Sequence, residues 1–130
     1  MDEKTARYFA DVIQLARSVF DEVVVEMDTT PERSILRLQA DFGEYRVFVT
    51  ELFSESARKY QYYVLRGDFV QAGFDNSPDP RAIRLKYGEI GKEHAGEIIS
   101  HLHLENKTSL SLTEEMSFSS FVEWLKKNLL

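Results

Sequence analysis

The residues best suited to chemistry in this chain are two histidines in one short segment, His101-Leu102-His103-Leu104-Glu105. Alternating residue types predict a β-strand from Ile98 to Glu105, and every second side chain of a strand lies on the same face. The two imidazoles would then lie roughly 7 Å apart at Cα. This spacing suits a general acid and a general base that act on one substrate. It also suits two ligands of a Zn, Mn or Ni ion, with Glu105 or a residue from elsewhere completing the shell.

The same two histidines also have an interpretation without chemistry. Antiparallel sheets often keep one face in water, and His101 and His103 would then be surface residues on that solvated face. The pattern alone leaves three interpretations open: acid–base or substrate contact, metal binding, and exposed surface.

The second candidate segment is Asp75-Asn76-Ser77-Pro78-Asp79-Pro80. Its two prolines lack backbone donors, so the segment cannot continue a central strand and must form a loop or turn. Asp and Asn side chains hydrogen-bond neighbouring backbone groups, so turn formation alone accounts for Asp75 and Asn76. The functional interpretation is that Asp75 orients an imidazole while Asn76 contacts a ligand. Asp79 and Glu105 are further carboxylates that could face the histidines.

A third feature is an aromatic strand from Lys59 to Leu65. Tyr60, Tyr62 and Arg66 share one face of it, and rings beside a guanidinium can stack bases and contact phosphates. We therefore predict Tyr62 and Arg66 as substrate contacts, with cross-strand packing of the rings as the structural alternative. The remaining histidine, His94, lies in a polar segment and is expected to be exposed without a role.

Two amphipathic helices are expected to flank the strands that carry these residues. Apolar residues at helical spacing predict the first helix near the N-terminus, at Phe9, Val12, Ile13, Ala16, Val19 and Phe20. A second apolar stripe predicts a C-terminal helix that Ser117 caps, at Phe118, Phe121, Val122, Leu125 and Leu129.

Between the helices the hydrophobic period changes to two, which predicts the strands of an antiparallel sheet. Gly43 and Gly67-Asp68 mark two hairpin turns. A short strand is predicted at Ala82 to Leu85, and a loop from Tyr87 to Glu97. The expected fold is α+β in one domain, residues 1–130: an N-terminal amphipathic helix, an antiparallel meander of about six strands, and a C-terminal helix.

Composition narrows the class of function. The chain has a formal net charge of −6, whereas binding of nucleic acid through its phosphates usually calls for a basic surface. It has no cysteine, so disulfides and thiolate metal sites are excluded. No apolar run is long enough to cross a bilayer, and the start of the chain lacks the features of a signal peptide. We therefore predict a cytoplasmic protein that does not bind membranes.

The two polar segments, in this order, resemble the TumE-like family, the presumed toxin components of toxin–antitoxin pairs. A family segment similar to Tyr-Asp-Asn-Ala-Pro-His-His reads Phe74 to Pro80 here, and one similar to Pro-His-His-x-His reads Ile99 to His103. The positions that match are Asp75, Asn76, Pro78, His101 and His103. Asp79, Pro80 and Ser100 stand where the family has histidine, so the chain resembles a divergent member.

The resemblance implies growth inhibition by an attack on RNA, and neutralisation by a cognate antitoxin with a helix-turn-helix domain. In that interpretation His101 and His103 act as base and acid, Asp75 orients an imidazole, and Asn76 holds phosphate or base. It assigns no cofactor and no metal, and it leaves the oligomeric state open. The alternatives are a non-catalytic protein-binding module and a small metal-binding hydrolase.

Overall fold

The computed structural model describes residues 1–88 and 92–130, in which seven strands form one antiparallel sheet in chain order. The elements are α1 (Glu3–Val19), β1 (Asp21–Thr29), β2 (Arg33–Phe42), β3 (Tyr45–Ser54), β4 (Arg58–Arg66), β5 (Phe69–Asp75), α2 (Pro80–Tyr87), a 3₁₀ turn (Lys92–His94), β6 (His101–Leu104), β7 (Ser109–Leu112) and α3 (Phe118–Asn128). The predicted α+β fold, a meander between N- and C-terminal helices, is confirmed. The sheet has one strand more than the expected six, because β7 was not predicted.

Helices α1 and α3 cover one face of the sheet, here called the core face. Asp2 caps α1 by accepting a hydrogen bond from the Thr5 amide, and Ser117 caps α3 as predicted. The inward side chains of the two helices and of β2 to β5 form the main hydrophobic core. Its fully buried members include Phe9, Leu36, Leu38, Val47, Tyr62, Phe74 and Phe121. The alternation that predicted the strands therefore marks the residues that face these two helices.

The opposite face, here called the outer face, carries α2 at its β6–β7 end. Ala82 and Ile83 of α2 pack with Ile99 and Leu110 in a small cluster that is separate from the main core. This second layer is what gives the outer face a buried region around β6. No helix in the described ranges has the length and apolar character needed to cross a membrane.

The prediction of a short strand at residues 82–85 is wrong, because this segment is part of α2. Asp79 is the N-cap, Pro80 occupies the first turn, and Gly88 ends the helix in the left-handed conformation at φ +82°. These are standard helix start and stop signals, and they outweigh the apolar run between them. Of the predicted loop from Tyr87 to Glu97, Tyr87 belongs to α2, a 3₁₀ turn is present, and residues 89–91 lie outside the described residues.

Candidate functional site

Strand pairing brings the two predicted segments together on the outer face. In the ladder between β5 and β6, Asp75 lies opposite His101 and Gly73 lies opposite His103. The next strand, β7, places Leu112 opposite His101. Directly opposite residues of an antiparallel pair share a face, so Asp75 and both imidazoles lie on one side of the sheet. The sequence prediction that both histidines share a face is confirmed.

The interpretation of His101 and His103 as solvated surface residues is wrong, because they are only 1% and 3% exposed. Helix α2 covers them from the outer side, since its cap residue Asp79 lies 3.9 Å from the Nε2 atom of each imidazole. The rings are perpendicular, with centroids 4.8 Å apart. They form a close pair under a short helix.

The hydrogen bonds of the two rings assign them opposite roles. His101 Nδ1 lies 2.7 Å from the carbonyl oxygen of Ile99, which can only accept, so Nδ1 carries the proton and Nε2 has a free lone pair. His103 Nδ1 lies 3.4 Å from a guanidinium nitrogen of Arg81, which can only donate, so the proton of the neutral ring is on Nε2. In these neutral rings the Nε2 atom of His101 can therefore accept a hydrogen bond, and the Nε2 atom of His103 can donate one.

The charge state of His103 follows from its surroundings. Burial lowers the pKa of His103 below its usual value, and the cations Lys107 and Arg81 lower it further. Asp75 acts in the opposite direction but does not outweigh them. The ring is therefore neutral at physiological pH, as the assignment of its single proton requires.

Asp79 is the carboxylate that faces both imidazoles, which confirms one of the possibilities open from the sequence. Its Oδ1 accepts from the Arg81 backbone amide at 2.8 Å, which caps α2, and its Oδ2 points to the histidines. Burial raises the pKa of Asp79, but the hydrogen bonds from Arg81 outweigh this and hold it below its usual value. Glu105, the other carboxylate considered, is exposed beyond the end of β6.

Asp75 is buried and held by two donors. Its Oδ1 accepts from the Ser77 amide at 2.7 Å, the local turn bond expected of this residue type, and its Oδ2 accepts from the Tyr63 hydroxyl at 2.9 Å. One ligand atom each of Asp75, His101 and His103 lie within 4.8 Å of one another. Asp75 therefore borders the pair of histidines, but its two named bonds go to Ser77 and Tyr63.

Tyr63 is a member of this site that the sequence reasoning missed. Its ring lies across Gly73 and is stacked 6.3 Å from the ring of His103, while Lys107 Nζ lies 5.0 Å from its centroid. Tyr63 and Gly73 are direct partners in the β4–β5 ladder. A glycine paired with an aromatic residue was therefore the signal that could have indicated Tyr63. Recognising this pair requires the register of the β4–β5 hairpin.

Comparisons with protein-family models, with curated proteins and with solved structures found no match to this chain. The TumE-like resemblance stays a prediction, carried by Asp75, Asn76, Pro78, His101 and His103.

The three predicted substrate contacts lie outside the cluster formed by Tyr63, Asp75, Asp79, His101 and His103, which we call the histidine site. Asn76 is buried and bonds the backbone of β4, accepting from Tyr60 N at 2.9 Å and donating to Arg58 O at 3.0 Å. Tyr62 is fully buried on the core face, so it presents no surface to a ligand in this structure. Arg66 is exposed at the end of β4, 3.5 Å from Glu44.

Tyr62 belongs to a second polar cluster, on the core face. Glu51 is fully buried and accepts hydrogen bonds from the hydroxyls of Tyr62 and Tyr8, and it forms a 2.9 Å ion pair with Arg58. Burial raises the pKa of Glu51, and burial with the nearby carboxylate raises the pKa of Tyr8 to about 12. Arg58 also donates to the Met116 carbonyl, which ties the segment before α3 to the sheet. The sequence analysis gave no sign of this cluster.

Proposed function

We propose that this protein is a ribonuclease-like toxin that cleaves RNA by acid–base catalysis at His101 and His103. The observation that carries the proposal is a close pair of imidazoles with different partners on Nδ1, a carbonyl oxygen for His101 and a guanidinium for His103, and with both Nε2 atoms facing Asp79. Attack by a ribose 2′-hydroxyl needs a base and an acid on either side of the phosphate. The neutral His101 ring can serve as the base. His103 serves as the acid once it carries a second proton, which it can take up when α2 opens and removes the burial and the Arg81 contact that lower its pKa.

The proposed reaction breaks one phosphorus–oxygen bond, forms another and moves two protons. His101 Nε2 removes the proton of the 2′-hydroxyl, and the 2′-oxygen forms a bond to phosphorus. The bond from phosphorus to the 5′-oxygen breaks, and His103 in its imidazolium form gives a proton to that leaving oxygen and becomes the neutral ring. The products are a 2′,3′-cyclic phosphate and a free 5′-hydroxyl. Proton transfer by positioned side chains of this kind accelerates reactions by about 10² to 10⁴-fold.

Two cations next to His103 suit the negative charge of a phosphodiester. Arg81 lies 3.4 Å from the His103 ring and also donates to the Lys107 carbonyl, so its guanidinium is held at the edge of the site. Lys107 lies over Tyr63. The chain as a whole is acidic, but this local pair of cations supports phosphate contact at the histidine site.

Helix α2 must move before RNA reaches the histidines, because both are almost fully covered. Few apolar contacts hold the helix: Ile83 and Ile99 are the large buried side chains of its cluster. Exposing them costs about 2 kcal/mol each, or about 4 kcal/mol together. An open state at that free energy is populated at about 10⁻³ and is within reach of substrate binding.

The biological setting of the proposal comes from the sequence. Growth inhibition and neutralisation by an antitoxin with a helix-turn-helix domain rest on the five matching positions quoted for the TumE-like resemblance. Action in the cytoplasm is the expectation from the cysteine-free composition. An acidic surface is compatible with docking on a basic antitoxin.

The decisive experiment is inducible expression in a bacterial host, with the wild type compared with His101→Ala, His103→Ala and the double variant. We expect growth arrest by the wild type and none by these variants, because each removes one of the two proton-transfer groups. The matched control is His94→Ala, since His94 stacks on Tyr87 and pairs with Glu97 outside the histidine site. This control should still arrest growth.

Purified protein then tests the chemistry. Incubation with an RNA oligonucleotide should produce a 2′,3′-cyclic phosphate, and a 2′-deoxy residue at the cleaved position should abolish cleavage. Circular dichroism of every variant checks that the fold is intact. Arrest by the folded double variant would move the activity elsewhere, and no arrest by the wild type would remove support for a toxin in that host.

A second candidate function, a non-catalytic binding module, is favoured by the free edge of β1. In the part of the chain that the structure describes, β1 pairs with β2 alone, and its Val24 and Met27 are 64% and 52% exposed. An open strand edge of nine residues can accept a partner strand. Growth arrest that survives loss of both histidines would favour this function.

A further inference from the structure

We infer that the closed histidine site binds one divalent transition-metal ion, with Zn²⁺ the best match, through His101, His103, Asp79 and Asp75. The binding claim stands on the geometry of these four side chains. A regulatory consequence, inhibition of the RNA-cleaving site by the metal, rests on the proposed function.

Both histidines lie close to a carboxylate of β5, Asp75, and to a carboxylate at the start of α2, Asp79. Asp79 Oδ2 lies 3.9 Å from both Nε2 atoms, and donor atoms of Asp75, His101 and His103 lie within 4.8 Å of one another. Ligand atoms about 2.0–2.2 Å from a tetrahedral Zn²⁺ are about 3.3–3.5 Å apart. Closing the difference takes side-chain shifts of about half an ångström to about one ångström. Two imidazoles and two carboxylates form a donor set that Zn²⁺ accepts.

The groups behind these ligands already hold them as a metal site requires. A metal-binding histidine usually donates its other ring N–H to a carbonyl or carboxylate, and His101 does so to Ile99 at 2.7 Å. The Tyr63 hydroxyl and the Ser77 amide orient Asp75. Asp79 uses Oδ1 for the helix cap, and its Oδ2 faces both histidines while also accepting a 3.4 Å hydrogen bond from the Arg81 guanidinium. Neither Nε2 atom has a hydrogen-bond partner among the described residues.

His103 needs one rearrangement. Coordination through its Nε2 moves the ring proton to Nδ1, where Arg81 now donates at 3.4 Å. Arg81 is half exposed and has a second acceptor, the Lys107 carbonyl at 3.0 Å, so its guanidinium can turn away while staying anchored. The positive charges of Arg81 and Lys107 oppose a cation, and the two carboxylates of Asp75 and Asp79 offset them.

The metal would join elements that otherwise share few apolar contacts. His101 and His103 belong to β6, Asp75 ends β5, and Asp79 is the cap of α2. An ion bound to all four ties α2 to the sheet and occupies the lone pair of His101 that RNA cleavage requires. The metal-bound protein would therefore be closed, more stable and inactive toward RNA.

The test is a Zn²⁺ titration of untagged wild-type protein, against a chromophoric zinc chelator of known affinity. We expect one Zn²⁺ per chain and a rise in melting temperature with zinc concentration, because the ion binds the folded state. Asp79→Asn is the main variant, since Asn caps a helix as well as Asp but supplies no anionic ligand. It should weaken binding by about tenfold or more, and His101→Ala should abolish it.

Two control variants make the result specific. His94→Ala removes the other histidine, which is 3.0 Å from Glu97, and Asp28→Asn removes an exposed carboxylate on β1. Both should bind Zn²⁺ as the wild type does. The inference is overturned if the wild type binds no zinc, if Asp79→Asn and His101→Ala bind as tightly as the wild type, or if His94→Ala alone loses binding.

The metal site and the proposed function can fail separately. Zinc binding is measured without RNA, and RNA cleavage is measured in EDTA. Zinc binding without cleavage supports the metal site and contradicts the proposed ribonuclease function. Cleavage in EDTA by a protein that binds no zinc supports the ribonuclease and contradicts the metal site. If both are present, Zn²⁺ should inhibit cleavage by the wild type at lower concentrations than it inhibits Asp79→Asn.

Discussion

Gly73→Ala is expected to destabilise the protein because the ring of Tyr63 occupies the space above this glycine. A Cβ atom at residue 73 would lie 2.6 Å from Tyr63 Cδ1 and 2.9 Å from Tyr63 Cζ, whereas ordinary contacts begin near 3.4 Å. The ring must move, and its movement breaks the 2.9 Å hydrogen bond from the hydroxyl to Asp75. Overpacking of this kind costs about 1–3 kcal/mol, and loss of a bond to a charged group adds to it.

We therefore expect Gly73→Ala to lower the free energy of unfolding by about 2–3 kcal/mol. For a chain of this length the melting temperature should fall by about 8–12 °C. In the Tyr63→Ala background the same change should cost about nothing, because the methyl group enters the space that the ring has left. The coupling energy of the double-mutant cycle should be about 2 kcal/mol.

Urea denaturation followed by circular dichroism measures all four corners of this cycle. Tyr63→Phe is the matched control, because it keeps the ring and removes only the hydroxyl. Gly73→Ala should remain costly in that background if the clash is steric. An equal cost in the Tyr63→Ala and wild-type backgrounds would show that the ring does not fill the space above Gly73, and the description of this side of the histidine site would then be wrong.

Three further predictions concern the core face. Glu51→Ala should destabilise by about 3 kcal/mol, measured by urea denaturation, because it removes the buried ion-pair partner of Arg58 and leaves only the exposed Glu115. Since burial raises the pKa of Glu51, the folded state binds more protons, so the stability of the wild type relative to Glu51→Gln should fall as the pH rises above the usual pKa of a glutamate. A constant difference would contradict this. Ser117→Ala should cost about 1 kcal/mol by thermal unfolding, because the Ser120 amide loses its cap, whereas the exposed Ser109→Ala should be neutral.

The parts of the fold that follow from local patterns could be predicted from the sequence. The apolar stripe of α1, the cap at Ser117 and the hairpin turns at Gly43 and Gly67 all depend on residues close in the chain. Two elements were missed for different reasons. Strand β7 has only four residues, so its alternation is too short to stand out in the sequence. The helix signals at Asp79-Pro80 also fit a turn, so they do not by themselves indicate α2.

The histidine site was predictable only in part. The spacing of His101 and His103 on a strand placed them on one face, but their burial depends on α2, which the sequence reasoning did not foresee. Tyr63 joins the site through its register opposite Gly73, a relation between strands that one sequence does not contain. The strand that contains Tyr62 was predicted, but Tyr62 lies on the face that α3 covers, where it cannot contact a substrate as expected.

The order of the strands bears on how the chain reaches this structure. Each strand pairs with its neighbour in the chain, so the sheet can grow one strand at a time as the protein is synthesised. The loops are short from β1 to β5, whereas the connection from β5 to β6 contains α2. The last helix has a different status, since α3 contacts α1 from the other end of the chain and covers the rings of Tyr62 and Phe74. Until Phe118 to Leu125 emerge, those rings face water. The nascent chain is therefore most exposed to aggregation just before α3 is synthesised.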